Sequence, residues 1–501
     1  MARLKTNVPR LSLATLGSAQ PGTGKFSYDR RRLRPRLVHL GLGAFFRAHG
    51  ALFTEEVLTD PGLNWGIVGA SLRRPEQRDR LTPQDCLYTT VENGPNNKRP
   101  RVVGCLLDVL VGPENPMKLL DQLSTPETVI VTITITEKGY CHDPASGHLN
   151  VDHPDIRHDL EQWDTPRSAV GLITGALARR KVAGYPPFTV ASCDNLPRNG
   201  DLLARLVHEF ASLRDDKLAG WIERTVPFPN SMVDRIVPAE AEGDLSLVEE
   251  LTGLHDAAPV MHEPFRQWVL EDRFVDSVRP PWERAGVQFV SDVSPFEQAK
   301  YRMLNASHSA LAYLGYLAGH ETIFDAVSDD LFGRFIKRFW LDDVIPVLAV
   351  PPGINLEQYA DQLFERYRNP AIRHRLSQIA MDGSQKLPPR FLPTVRDNLN
   401  RNRSFDFVAL AIAGWVRFVT GIDERGKPID LRDPLAALLC EQIDLAGADP
   451  AAQVRALTNI EAIFGTDLPS NEVFMTAITE AYETLRREGV RKAVSDALAH
   501  A

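Results

Sequence analysis

The chain has few cysteines for its length, and none of them is placed as a metal-binding pair. Five are spread over 501 residues, at Cys86, Cys105, Cys141, Cys193 and Cys440. Because no two form a C-x-x-C pair, the usual structural zinc signatures are excluded. An odd, scattered set is also more typical of reduced thiols than of a disulfide framework. The sequence therefore predicts a cytoplasmic protein with free thiols.

Long apolar runs and an excess of positive charge are also missing. No run reaches the ~18 apolar residues of a membrane span, and residues 1–28 hold no apolar segment of a secretory signal. The net charge of -8 argues against a general nucleic-acid binder. The one basic run, residues 30–36, is interpreted as a solvated tail before the first strand. We expect neither a membrane nor a nucleic acid as partner.

A glycine turn follows the first predicted strand, residues 36–40. The segment Gly41-Leu42-Gly43-Ala44-Phe45 leads from it into a helix expected to run from Ala44 to about Leu58. A strand, a G-x-G turn and a helix N-terminus are typical of a dinucleotide-binding fold, in which free N–H groups meet the pyrophosphate. Phe46 stands where the usual fingerprint has its third glycine. The expected cofactor contacts are Gly41, Gly43, Ala44 and Phe45.

Charged residues follow the second predicted strand, residues 65–70. An acid near the end of this strand normally holds the adenosine ribose, and Glu76 is the candidate. Arg73 and Arg74 can instead meet the 2′-phosphate of NADP. Because Glu76 would repel that phosphate, NAD is the predicted cofactor and NADP the alternative.

Two further strands are predicted at residues 128–136 and 188–193, with a helix at residues 168–181 between them. Polar residues follow both strands, among them Glu137 and Asn195. Open α/β sheets place their ligands just past the carboxyl ends of parallel strands. The alternation predicts a doubly wound α/β domain, with Glu137 as a further cofactor contact.

Helical patterns dominate after about residue 290. We predict helices at 356–367, 407–420, 451–463 and 473–488, and loops such as 346–353 and 381–389. A chain of 501 residues is too long for one core, and no internal repeat divides it. The predicted parts are a lead-in at 1–35, a Rossmann-type dinucleotide-binding domain at 36–290, and a mostly α-helical substrate domain at 291–501.

The segment 296–315 is an apolar helix pattern that carries four polar side chains. They are Glu297, Lys300, Asn305 and His308, and at ~100° per residue they share an arc of ~140°. Burying such groups without partners costs several kcal/mol. They therefore either satisfy one another in a core cluster or face a substrate.

A dinucleotide fold together with a buried lysine indicates hydride transfer. Oxidation of a secondary alcohol needs a base for the hydroxyl proton and donors for the developing alkoxide. Lys300 can be that base if its pKa falls from ~10.4 to ~7–8, a change of roughly 4 kcal/mol that burial can supply. Asparagine amides and a neutral histidine are suitable donors. No Cys/His ligand set is visible, so a metal-free reaction is expected.

Together these residues resemble the polyol-specific long-chain dehydrogenases, the mannitol dehydrogenase family. Lys300, Asn305 and His308 have its K-x4-N-x2-H spacing, and the resemblance covers nearly the whole chain. The other matching segments are Gly41–Phe45, Arg47–His49, Thr134–Glu137, Ser192–Pro197, Met232–Ile236, Glu263–Phe265 and Asp382–Lys386. The resemblance implies an NAD(P)-dependent, metal-free oxidoreductase with a Rossmann domain and an α-helical substrate domain.

The resemblance also implies residue roles. Lys300 is the implied general acid/base, and Glu297 is the implied gate for proton exchange with water. Asn195 and Asn305 are implied to form the oxyanion hole, and His308 to bind and orient the substrate. Asp234 and Lys386 are implied to be polar residues of the substrate pocket.

The segments 369–375 and 378–386 are similar to the fructuronate reductase branch of the family, which must hold a substrate carboxylate. Gln378 stands where mannitol 2-dehydrogenases are expected to have a pocket arginine. The predicted reaction interconverts D-mannonate and D-fructuronate, with D-mannitol and D-fructose as the alternative pair. A non-catalytic nucleotide-binding protein is the alternative of another class, and the oligomeric state, monomer or dimer, stays open. The candidate carboxylate partners are Lys386, Arg390, Arg373 and Arg375.

Overall fold

The computed structural model describes residues 8–95, 97–143, 146–372 and 374–500. The chain divides into two compact units, Met1–Val293 and Ser294–Ala501. Each unit has hydrophobic cores of its own. Within the described residues, no helix combines the length and the apolar character needed to cross a membrane.

Eleven strands lie in the described part of the first unit. They are β1 Arg34–Leu40, β2 Trp65–Ser71, β3 Tyr88–Asn93, β4 Lys98–Val103, β5 Leu106–Val111, β6 Ile130–Ile133, β7 Thr189–Ser192, β8 Ser231–Asp234, β9 Val260–His262, β10 Gln267–Glu271 and β11 Gln288–Val290.

Five of these strands form a parallel sheet in the order β5-β2-β1-β6-β7. Every residue of β2 and of β6 is buried, as expected for strands covered by helices on both faces. The chain runs outward from β1 to β2 and β5, and then in the other direction to β6 and β7. Beside β1 the strand order therefore reverses, and open α/β sheets bind ligands in the crevice outside such a point.

Two smaller sheets, which the sequence did not predict, complete the first unit. One has the order β11-β10-β8 and the other β4-β3-β9. The α-helices of this unit are Ala44–Ala48, Gly50–Val57, Glu76–Leu81, Pro116–Ser124, Pro154–Glu161, Ala169–Ala183, Asn199–Ser212, Asp216–Thr225 and Asp244–Thr252.

The helix predicted from Ala44 to about Leu58 is broken at His49. This residue has φ -129° and ψ -89°, outside the helical region. Its Nε2 lies 2.9 Å from the carbonyl oxygen of Gln267, and its ring packs beside Phe53 and Trp268. The His49 imidazole is thus buried in the core, and the helix is interrupted at the residue that carries it.

The interpretation of residues 30–36 as a solvated tail was wrong in part, because Arg31, Arg32 and Arg34 are exposed but Arg30 is partly buried. The backbone N–H of Leu11 donates to the carbonyl of His255 at 2.8 Å, so the lead-in packs on the first unit. The guanidinium of Arg30 donates to the carbonyls of Gly104 and Leu106 at 2.9 and 2.5 Å. Part of the basic run is therefore a structural tie, and β1 already begins at Arg34.

The second unit is built from helices and the loops between them, and its described residues form no β-strand. Its α-helices are Ser294–Ala299, Ala306–Leu317, Ile323–Ser328, Asp330–Arg338, Leu356–Tyr367, Leu376–Ile379, Gly383–Arg390, Leu392–Asn400, Asp406–Val419, Ala436–Ala446, Pro450–Thr458, Glu461–Phe464, Glu472–Glu488 and Val490–His500. Two π-helical segments, Lys300–Asn305 and Phe339–Val344, interrupt this pattern.

Two of the predicted features in this unit were wrong. The loop expected at 381–389 is largely the helix Gly383–Arg390, whose first turn is fixed because Ser384 donates its N–H and O–H to Asp433 at 2.8 and 2.5 Å. The single helix expected at 451–463 ends at Thr458 and resumes at Glu461. Asn355 is the N-cap of the helix Leu356–Tyr367, since its side chain accepts the N–H of Gln358 at 2.9 Å.

Candidate active site

The glycine turn after β1 lies at the reversal point of the parallel sheet. Gly41 has φ +93°, and a Cβ there would come 2.1 Å from the carbonyl oxygen of Thr134, so only glycine fits. At Gly43 a Cβ would meet nothing nearer than the Gly41 carbonyl oxygen at 3.8 Å, so the space beside the turn is open. Ala44 and Phe45 begin the helix that follows. The turn can therefore accept a phosphate group close to its backbone.

Phe46 replaces the third glycine of the fingerprint by stacking on His39 of β1. The two ring centroids are 3.4 Å apart and the planes nearly parallel. The imidazole is held by the hydroxyls of Thr132 and Thr134 at 2.8 and 2.9 Å. Burial lowers its pKa to about 3, so the ring is neutral at physiological pH. A stacked aromatic pair thus takes the place of the close helix–strand approach that a glycine permits.

The residues predicted to contact the cofactor ribose lie beyond the end of β2. Arg73, Arg74 and Glu76 are all exposed, and Glu76 begins the helix Glu76–Leu81. The Arg74 guanidinium lies 3.9 Å from the Glu76 carboxylate in a solvated ion pair. Glu137 begins a short 3-10 helix after β6. Their contacts with a cofactor stay predictions.

Asn195 follows β7 and is exposed, while its neighbour Asp194 is buried. The carbonyl of Asp194 accepts a hydrogen bond from the side-chain amide of Asn199 at 2.9 Å, which fixes this segment at the start of the next helix. Asn195 is therefore presented from an anchored turn at the carboxyl edge of the sheet. The sequence missed Asp194 and Asn199 as the residues that anchor it.

Asp234, the predicted pocket residue of the first unit, is buried at the end of β8. The next residue, Arg235, donates to the carbonyl of Glu263 at 3.1 and 2.9 Å, and burial lowers its pKa to about 10. In return the Glu263 carboxylate accepts the N–H of Ile236 at 2.6 Å. Two motif segments that are separate in the sequence, 232–236 and 263–265, are thus joined by hydrogen bonds in both directions.

In the second unit, the lysine helix contains a π-helical turn from Lys300 to Asn305. The N–H of Ala306 donates to the carbonyl of Tyr301, which is an i→i+5 bond. Such a helix turns by about 80° per residue, so Asn305 lies about 40° from Lys300 instead of about 140°. His308 then falls about 20° to the other side of Lys300. The π turn draws the polar groups together on one side of the helix.

Side chains from helices distant in the sequence donate hydrogen bonds to the backbone of this π turn. Tyr367 donates its O–H to the carbonyl of Leu304 at 3.0 Å and contacts the hydroxyl of Ser307 at 2.6 Å. Trp340, in the second π segment, donates its indole N–H to the carbonyl of Met303 at 3.0 Å. The hydroxyl of Ser307 donates to the same two carbonyls, of Met303 and Leu304, at 2.5 and 3.0 Å, so side chains bind the backbone at the end of the π turn. No pattern in the sequence points to Tyr367 or Trp340 as partners of this turn.

Glu297, Lys300, Asn305 and His308 are all buried. Five polar atoms in or near this turn are buried without a hydrogen-bond partner among the described residues. Orphaned groups of this kind are rare in native proteins, and several together indicate the position of a ligand. The atoms are Arg302 Nη2, Asn305 Nδ2, His308 Nε2, Tyr313 Oη and His374 Nδ1.

The imidazole of His308 lies in a positively charged surrounding. Burial lowers its pKa well below the ordinary value, and His374, Arg366 and Arg390 lower it further. The rings of His308 and His374 are 5.3 Å apart. His308 is therefore a neutral imidazole at physiological pH, able to donate one hydrogen bond and accept another.

Lys386 and Arg390 lie one turn apart on the helix Gly383–Arg390. Arg390 donates to the carbonyl of Asn305 at 3.0 Å and to the hydroxyl of Ser309 at 2.8 Å, which ties it to the π turn. Lys386 donates to the carbonyls of Ile379 and Met381 at 3.0 and 2.5 Å. Within the described part of the chain, no carboxylate forms an ion pair with either cation. Both therefore retain donors and charge for an anionic ligand.

Arg375, another candidate carboxylate partner, has its ion-pair contact elsewhere. Arg375 is exposed and lies 3.9 Å from Glu321. Gln378 is exposed as well, and Arg373 lies outside the described residues.

A separate group of possible metal ligands, Cys141, His153 and Asp155, lies in the first unit with ligand atoms within 4.8 Å of one another. The Nδ1 of His153 accepts the N–H of Asp155 at 3.2 Å and so caps the helix Pro154–Glu161. Burial raises the pKa of the Cys141 thiol to about 12, so it is protonated. Helix capping accounts for the position of this histidine.

A parallel sheet with an open glycine turn, and a helical unit with a buried lysine, amide and imidazole, define a dehydrogenase of two units. Comparisons with known proteins agree. Residues 35–284 match the family described as Mannitol dehydrogenase Rossmann domain, and residues 292–486 match the Mannitol dehydrogenase C-terminal domain. The chain therefore belongs to the mannitol dehydrogenase family of oxidoreductases, and the predicted family and fold class are confirmed.

Individual relatives agree over nearly the full length. An Escherichia coli protein described as uncharacterized oxidoreductase YdfI is 47% identical over 93% of this chain and 96% of its own. The D-mannonate oxidoreductase of Escherichia coli is 44% identical over 94% of this chain and 97% of its own. The structure of Pseudomonas fluorescens mannitol 2-dehydrogenase in ternary complex with NAD and D-mannitol superposes with a TM-score of 0.88, 38% identity, and coverage of 98% and 100%.

Proposed function

We propose that the protein interconverts D-mannonate and D-fructuronate with NAD as the hydride carrier. The observation that carries this choice is the pair of cations, Lys386 and Arg390, beside orphaned donors on the helix of Lys300. A neutral polyol needs hydroxyl partners only, whereas a sugar acid also needs a fixed positive charge. The identity to a D-mannonate oxidoreductase, 44%, supports the same substrate class.

The surroundings of Arg390 favour an anionic substrate. Burial lowers the pKa of Arg390, and the main groups that oppose this are the tyrosines Tyr313, Tyr301 and Tyr367, whereas Asp382 and Asp433 act on Lys386. An unpaired buried cation is unfavourable, and a bound carboxylate removes that cost. Since the guanidinium also holds the Asn305 carbonyl, the anion would be placed beside the reacting end of the π turn.

The glycine turn after β1 fits a dinucleotide, because Gly41 keeps the backbone close and the space beside Gly43 is open. We assign the ribose diol to Glu76, which accepts hydrogen bonds and repels a 2′-phosphate. The relative whose structure contains NAD supports this cofactor over NADP. When bound, NADH supplies the hydride for the ketone carbon.

The residues of this chain then bind the ketone oxygen and transfer a proton to it. In the reductive direction the Lys300 ammonium donates its proton to the oxygen as negative charge develops there. The amide of Asn305, together with the amide of Asn195, donates hydrogen bonds to the same oxygen. His308, which is neutral, orients a neighbouring hydroxyl. Glu297 returns a proton from water to Lys300, and in the oxidative direction each transfer is reversed.

The decisive test compares substrates with the purified protein. NADH oxidation is followed spectrophotometrically with D-fructuronate and with D-fructose, and NADPH is then compared with NADH. We expect a higher kcat/KM for fructuronate and a preference for NADH. A higher kcat/KM for fructose would favour the alternative, a mannitol 2-dehydrogenase, which the likeness to the Pseudomonas fluorescens structure supports. Binding of NADH without turnover of any ketose or keto-acid would support a non-catalytic protein.

A further inference from the structure

The loop after β6 contains a residue in a conformation that side chains avoid. Thr136 has φ 63° and ψ 163°, a region occupied almost only by glycine. For a β-branched residue this is a genuine outlier. Backbone strain of this kind persists only where neighbouring groups hold it, and it concentrates at functional sites.

The group that holds Thr136 is the buried carboxylate of Asp194. Its Oδ1 accepts the N–H of Thr136 at 2.9 Å, and its Oδ2 accepts the N–H of Ile135 at 3.0 Å. The hydroxyl of Tyr140 donates to the same Oδ2 at 2.9 Å. Because these N–H groups turn to Asp194, β6 ends at Ile133, although the β-branched sequence continues to Thr136.

The loop that Asp194 holds also forms one wall of the glycine turn. The carbonyl oxygen of Thr134 is the atom that a Cβ at Gly41 would strike. The hydroxyl of Thr134 donates to the Gly41 carbonyl at 3.0 Å. Since β1 and β6 are neighbours, a shift of this loop changes the crevice in which the pyrophosphate is proposed to bind.

We propose that Asp194 is a positioning residue that keeps Thr136 in its strained conformation and so shapes the cofactor-binding edge between β1 and β6. The inference rests on the proposed function, since it assumes a dinucleotide at this edge. It assigns Asp194 an effect on cofactor affinity beyond its contribution to stability. It also predicts that the need for the carboxylate depends on the side chain at position 136, because glycine adopts this conformation without strain.

The test uses Asp194→Asn, Thr136→Gly and the double variant. The amide introduced by Asp194→Asn has one acceptor oxygen where the carboxylate has two, so the loop loses at least one hydrogen bond. We expect the Kd for NADH, measured by fluorescence titration, to rise about 10-fold in Asp194→Asn. In the double variant we expect it to return to within about 3-fold of the parent value. Tyr140→Phe, a milder change that keeps both backbone contacts, should raise the Kd about 3-fold.

Asp256→Asn is the matched control. The Asp256 carboxylate is also buried and also accepts two backbone N–H groups, from Thr89 and Ala258, and one side-chain N–H, from Gln84. It lies next to β9 of the β4-β3-β9 sheet, and none of these three hydrogen-bond partners belongs to the glycine turn or to the segment 134–136. Asp256→Asn should lower the melting temperature while the Kd for NADH stays at the parent value.

Three results would overturn the inference. In the first, Asp194→Asn lowers the melting temperature as Asp256→Asn does but binds NADH like the parent, which makes Asp194 a fold anchor only. In the second, the double variant binds NADH no better than Asp194→Asn, so the carboxylate does not act through Thr136. In the third, Asp194→Asn does not fold and Tyr140→Phe leaves the Kd unchanged. If the parent itself fails to bind NADH, the proposed function fails first, and this outcome is distinguishable from the other three.

Discussion

Replacing Lys386 by methionine tests the sugar-acid hypothesis most directly. Methionine keeps the length and flexibility of the side chain and removes its charge. A hydrogen bond to a charged group is worth ~1.5–3 kcal/mol, which corresponds to roughly 10- to 150-fold in kcat/KM. We therefore expect a loss of this size with D-fructuronate and a much smaller loss with D-fructose, which has no carboxylate.

The pH dependence gives an independent measure of the same interaction. Burial, assisted by Arg390, lowers the pKa of Lys386 to about 8. The ammonium is thus present below about pH 8 and is lost as the pH rises through this value. Since kcat/KM reports the ionisation of the free enzyme, the ratio of kcat/KM for fructuronate to that for fructose should fall above about pH 8. Deprotonation of Lys300 affects both substrates alike and cancels in this ratio.

The control is Lys427→Met, which removes the same charge from an exposed position of the second unit. It should leave both substrates unaffected. The reasoning is refuted if Lys386→Met reduces kcat/KM equally for fructuronate and fructose. It is also refuted if the ratio in the parent stays flat from pH 7 to pH 10.

Four further predictions concern the reaction itself. Lys300→Ala should abolish nearly all turnover while NADH still binds, and activity within tenfold of the parent between pH 6 and 10 would remove Lys300 as the acid/base. Asn305→Ala should lower kcat by about 10²-fold, as for the loss of one oxyanion donor, and an unchanged kcat would contradict that role. Tyr367→Phe should lower the stability by about 1 kcal/mol in thermal or denaturant unfolding and also lower kcat, because the π turn loses a support; a stability loss with normal kcat would show that the turn needs no such support. Activity should resist EDTA, whereas loss with EDTA and recovery with zinc would overturn the metal-free mechanism.

Much of the first unit could be predicted because its signals are local. A buried parallel strand reads as a run of apolar and β-branched residues, and a glycine that must take positive φ stands directly after it. Both patterns place β1 and Gly41 correctly from neighbouring residues alone. The end of β6 could not be predicted in this way, because Asp194, which draws Thr136 out of the sheet, lies in a distant segment of the chain.

The same difference between local signals and contacts of distant segments is found at the candidate site of the second unit. Helical periodicity identified Glu297, Lys300, Asn305 and His308 as polar groups on one side of a buried helix, and this needs only their spacing. This periodicity assumes a regular α-helix, in which Asn305 lies about 140° from Lys300, whereas an ideal π turn brings the two to about 40° from each other. The π turn depends on hydrogen bonds from Tyr367 and Trp340, which the chain brings back to the lysine helix only when it folds.

The sequence by itself thus determined which family the chain belongs to and four of the five strands of the parallel sheet, and it predicted which residues carry the chemistry. The tertiary structure alone decided that Lys386 and Arg390 share one helix beside the π turn, where the sequence predicted a loop. It also decided which buried donors are left without a partner among the described residues. Local patterns record backbone preference and burial, whereas the direction of a side chain and its partners are set by contacts between segments distant in the chain.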